Sequence, residues 1–123
     1  MLSVVTSILV ALVAILHIYF LILEMFLWVK PVGLRVFKQT LENAKNSKVL
    51  AANQGLYNGF LSAGLIWGLV HPVIEFGTQV QIFFLACVII AGIYGAATVG
   101  KKILFVQAAP AAVALMLIVL SRI

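Results

Sequence analysis

Charge is the first thing this sequence is short of. Among 123 residues there are three acidic side chains and eight lysines and arginines; 9% of the chain is charged and 65% is hydrophobic. Globular domains run nearer about a quarter charged and about half apolar. A chain with so little polar surface cannot cover itself in water, which excludes an ordinary soluble domain and points to a bilayer protein. Cysteine is nearly missing too. The single Cys87 excludes an intramolecular disulfide and any multi-cysteine metal site, and in the run FFLACVIIAG it reads as an inert buried thiol. The only histidines are His17 and His71, and HExxH, Walker and GxGxxG patterns are absent. No metal, nucleotide or other cofactor is expected. Ser62 has no histidine close in sequence or level, so a serine nucleophile is not indicated. A formal net charge of +5 raises nucleic acid as a partner. Five of the eight basic residues, however, lie between Lys30 and Lys48, flanked by apolar runs. Loop charge so placed sets membrane orientation, and no nucleic-acid partner is expected.

What the sequence has in quantity is long apolar runs. A helix needs about 20 mainly apolar residues to cross the hydrocarbon. The spacing predicts an all-α polytopic membrane protein, one transmembrane domain over 1–123, with four helices in an antiparallel bundle. The expected spans are about 2–29, 49–70, 78–99 and 103–120. The first lacks a basic n-region and outruns a signal h-region, so it reads as a retained helix. The runs are continuous and show no period-2 alternation, which excludes barrel strands. Loop 30–48 carries Lys30, Arg35, Lys38, Lys45 and Lys48, and loop 100–102 carries Lys101 and Lys102, whereas the stretch His71 to Gly77 has no Lys or Arg. Both basic loops are therefore expected in the cytoplasm and both termini outside. Within loop 30–48, Leu34, Phe37, Leu41 and Ala44 recur at helical spacing. They predict a short amphipathic surface helix with its basic residues toward lipid headgroups, or else a solvated connector.

The polar residues inside these runs are the candidate site. In AANQGLYNGFLSAGL (Ala51 to Leu65), Asn53, Gln54, Tyr57 and Asn58 fall in the first three turns of the second span, within an arc of about 140° at 100° per residue. Gly55, Gly59 and Ser62 form an adjacent small-residue strip suited to close packing. Glu24, at roughly 8 Å from the cytoplasmic end of the first span, Tyr94 and Thr98 on the third and Gln107 on the fourth are expected at the same depth. An acid facing hydrocarbon costs about 2.5 to 3.5 kcal/mol, so Glu24 should face inward toward amide or hydroxyl donors, either as a carboxylate or as a neutral acid. His17, two turns deeper on the same stripe, reads as a proton relay or as a neutral histidine bonded to a neighbouring helix. The plainer reading of the whole layer is interhelical glue, against which the number of polar residues in it favours a ligand site or pathway. Pro110 removes a helix hydrogen bond and frees the Val106 carbonyl beside Gln107.

The strings LEMFLW (Leu23 to Trp28) with His17 and Tyr19, NQGLYNGFLSAGLIWG (Asn53 to Gly68), AGIYGAATV (Ala91 to Val99) and VQAAPA (Val106 to Ala111) resemble a bacterial family of small four-helix integral membrane proteins catalogued as a domain of unknown function. The resemblance covers nearly the whole chain. It implies four spans and a bacterial cytoplasmic-membrane location, and supplies no activity. The residues themselves suggest a ligand-binding or transport pathway centred on Glu24, Asn53 and Asn58, taking a small polar or amphipathic ligand. The alternatives are a membrane enzyme with Glu24 as acid or base, and a non-catalytic lipid-binding or partner subunit. At this size a pathway calls for a homo-oligomer, with membrane lipid as the other partner. In its first-helix glutamate the chain is similar to the small multidrug-resistance exporters. It departs from them in its one-sided charge bias and in placing Glu24 near a helix end.

Overall fold

The computed structural model describes residues 2–122. It is all-α, with no strand among the described residues. The elements are α1 (Leu2–Met25), α2 (Pro31–Phe37), α3 (Leu41–Asn46), α4 (Lys48–Val70), α5 (Ile74–Thr98), α6 (Lys101–Ile103), a π-helical turn (Leu104–Ala108) and α7 (Ala109–Ser121). Two helices are long and apolar enough to cross a membrane, Ser3–Met25 and Ile74–Thr98, and Phe105–Ser121 is a shorter apolar helix. Contacts divide the chain into two compact units, Ile15–Ser62 and Met1–Ala14 with Ala63–Ile123.

In the unit Ile15–Ser62, α1 ends at Met25 although apolar sequence continues to Val29. The chain turns there: the amides of Phe26 and Leu27 both donate to the Ile22 carbonyl, at 3.0 and 3.2 Å. Pro31 then opens α2, where its missing N–H costs nothing. The single surface helix expected from the periodicity is divided in two by Lys38, which adopts a left-handed conformation (φ 52°, ψ 49°). The amide of Gln39 reaches back to the Leu34 carbonyl at 3.0 Å and that of Lys38 to Arg35 at 3.4 Å. This is the helix-ending pattern in which glycine is usual, and a side chain there costs about 1 kcal/mol. Thr40 starts α3 by accepting the Asn43 amide on its hydroxyl at 3.1 Å, and Glu42 sits in the first turn, where the helix dipole favours an anion.

In the other unit, the turn between α4 and α5 is closed by His71. Its Nδ1 accepts the amide of Val73 at 3.0 Å, fixing the residue that precedes α5 and whose side chain makes no capping hydrogen bond. The Gln81 side chain donates to the Gly68 carbonyl at 3.1 Å, a second tie between the same two helices. The buried apolar side chains of this unit include Val10, Val13, Leu65, Leu85, Val88, Ala111, Ala114 and Ile118. The break expected at Pro110 is present as the π-helical turn just before it. Widening one turn removes the clash between the proline ring and the preceding backbone without ending the helix.

Arg122 closes this unit by donating to Glu75 at 2.6 Å, with side chains 39% and 58% exposed. An ion pair so exposed contributes little. A thermal-unfolding double-mutant cycle on Glu75→Gln and Arg122→Gln should give a coupling below about 1 kcal/mol.

Candidate functional site

Glu24 lies in the last turn of α1, half-buried. Asn58 of α4 donates from Nδ2 to Glu24 Oε1 at 2.5 Å. Two glycines bring the helices this close. A methyl group on Gly55 would stand 2.6 Å from Met25 Cγ, 3.1 Å from Glu24 Cβ and 3.2 Å from the Leu21 carbonyl. At Gly59 it would meet Leu21 Cδ1 at 2.7 Å. The glycine strip of α4 is thus the face that α1 packs against, and Asn58 stands at its margin, next to the acid. Among the described residues no Lys or Arg forms an ion pair with Glu24. A neutral amide is its partner.

The other polar residues of the NQGLYN stretch point elsewhere. Asn53 and Gln54 are exposed, and Tyr57 is 53% exposed with its ring 6.2 Å from that of Phe60. The polar arc and the glycine strip occupy adjoining sides of α4, so a helix that turns its glycines to α1 brings only the nearest edge of the arc, Asn58, to Glu24. His17 is fully buried, seven residues before Glu24, with its ring edge-on to Phe20 at 5.6 Å. That is a separation of about 10 Å along the axis, beyond direct contact with the acid.

Tyr94, Thr98 and Gln107 belong to the second unit. Tyr94 is 71% exposed, and its carbonyl accepts the Thr98 hydroxyl at 2.8 Å, which turns Thr98 back on its own helix. Gln107, half-buried, sits in the π-helical turn.

One cluster was not assembled from the sequence. The Trp28 indole packs on Phe37 with ring centroids 4.9 Å apart and donates from Nε1 to Ser47 Oγ at 3.2 Å. Ser47 Oγ in turn donates to the Asn43 carbonyl at 2.8 Å. Tryptophan at the end of an apolar run signals an interfacial anchor, but nothing local in sequence pairs it with a serine 19 residues away. The described residues contain no group of His, Cys, Asp and Glu able to hold a metal ion.

Filling the close approach at Gly55 should be costly. Gly55→Leu is expected to lower stability by about 1 to 3 kcal/mol in thermal unfolding. Gly100→Ala, where nothing lies within 4 Å of the added methyl, serves as the neutral control.

Comparison with known proteins agrees with the family resemblance seen in the sequence strings. A relative from Lactococcus lactis subsp. lactis (strain IL1403), described as uncharacterized protein YpaA, is 33% identical over 115 residues, spanning 92% of this chain and 95% of its own. No solved structure matches the chain. The family model described as protein of unknown function (DUF1304) matches residues 11–119. With nearly its whole length matched, the chain belongs to that family.

Proposed function

We propose that this protein spans the bacterial cytoplasmic membrane four times and that its Glu24–Asn58 pair binds a small polar or cationic solute in exchange for a proton, on a transport pathway. The membrane reading is supported by what the apolar helices leave uncovered. Only 28% and 17% of the most apolar windows of Ser3–Met25 and Ile74–Thr98 are buried. A core helix of a soluble protein is mostly buried, whereas Ile8, Leu12, Ile15, Phe83, Ile90 and Ile93 here are each more than half exposed. An apolar surface this extensive fits lipid. The basic loops 30–48 and 100–102 then lie in the cytoplasm, with both termini outside.

The observation that carries the solute reading is the setting of Glu24: a half-buried carboxyl in an apolar helix, held by an amide and with no protein cation paired to it among the described residues. Acids inside membrane helices ordinarily serve substrate or proton pathways, because an idle one is costly. Asn58 engages Oε1, and Oε2 is the natural place for a proton or a cationic group. The exposed Asn53, Gln54 and Tyr57 would find no hydrogen-bond partners in lipid. A second copy of the chain would supply them, and this exposed polar edge is what supports a homo-oligomer.

Native mass spectrometry of the gently extracted protein tests this. Wild type should carry a discrete small-molecule adduct that is absent from Glu24→Gln and weakened in Asn58→Ala, with more than one chain per particle. If all three fly as identical, adduct-free species, Glu24 and Asn58 are packing partners only and the transport reading is wrong.

A further inference from the structure

The segment between α1 and α4 is built as a fixed platform. Its middle and its far end are tied to one indole: the Trp28 ring packs on Phe37 with centroids 4.9 Å apart, and its Nε1 donates to Ser47 Oγ at 3.2 Å. Gly33 is pressed against the Leu27 carbonyl, so α2 lies directly on the turn that ends α1. On this platform Lys30, Arg35, Lys38, Lys45 and Lys48 are all exposed. The ion pair present among the described residues is Arg122 with Glu75, so none of these five cations forms one there. Exposed apolar side chains accompany them: Phe26 at 66%, Val36 at 38% and Leu41 at 46%.

We infer that this platform docks the anionic phospholipid headgroups of the bilayer and that Lys38 is a specificity-determining residue of the surface. The inference rests on the membrane reading above. Charge complementarity selects an anion, and the interleaved apolar side chains select an interface where phosphate and hydrocarbon lie side by side. An acidic protein surface offers the first without the second. Lys38 is the telling position. Its backbone is left-handed (φ 52°), the conformation glycine adopts without strain. The chain nevertheless carries a cation there, and the ammonium makes no ion pair among the described residues. Its charge is therefore available to a group outside the protein.

The test uses the full-length protein in detergent, with an equimolar mixture of phosphatidylglycerol and phosphatidylcholine of the same acyl chains, read by native mass spectrometry. Wild type should retain phosphatidylglycerol in preference, and the preference should weaken as salt is raised. Lys38→Gly and Lys38→Asn remove the charge with residues that suit a left-handed backbone. Each should cut the preference by about fivefold, while the thermal midpoint of Lys38→Gly stays level or rises. Equal retention of the two lipids by wild type overturns the inference, as does an unchanged ratio in both variants. A lowered midpoint in Lys38→Gly makes the residue structural and removes its assigned role. Binding of poly-glutamate by wild type that retains no phosphatidylglycerol identifies an acidic protein as the partner and overturns the lipid assignment. A protein that holds neither lipid and stays dissolved without detergent overturns the membrane reading as well, whereas equal retention overturns this inference alone.

Discussion

The close approach of α1 and α4 at Gly55 and Gly59 is the constraint on which the candidate site depends. With no Cβ on either residue, the second helix comes near enough for the Asn58 amide to reach Glu24. The packing face and the polar face are therefore a single design on α4, in which the glycines fix the distance and the asparagine at their margin uses it. A larger residue in the strip would separate acid and amide and leave both without their partner.

Much of the fold was legible because apolar run length is a direct physical signal. The helices α1, α4 and α5 begin and end within a few residues of the runs that announced them. The departures occur where a distant contact overrides local sequence. Apolar residues continue past Met25, yet α1 stops there, because Trp28 and Gly33 turn the chain back on itself. The 30–48 helix is cut at Lys38 by a backbone conformation that lysine rarely takes, so no propensity rule marks the break. At Pro110 the sequence announced a disturbance, and its form, one widened turn, depends on what surrounds it.

The candidate site was legible in part. That Glu24 would need a donor followed from the cost of an unsatisfied acid in an apolar setting, and Asn58 was among the polar residues expected at its depth. Which donor it chose did not follow, because the arc of α4 containing Asn53, Gln54, Tyr57 and Asn58 has no preferred direction until the glycine strip has been assigned to a neighbour. Depth along a helix can be read from residue number. Rotation about its axis is set by packing, and a single sequence carries that information only weakly.

The two hydrogen bonds that join α1 and its following turn to α4 lie at different heights. Glu24 meets Asn58, and beyond the end of α1 Trp28 meets Ser47, the residue immediately before α4 begins. Two rungs on one ladder restrain α4 more than a single rung would, because a rotation of α4 about its own axis strains both bonds at once. Without the upper rung the lower one would be a pin, so the angle of this hairpin is set by the bond between Glu24 and Asn58.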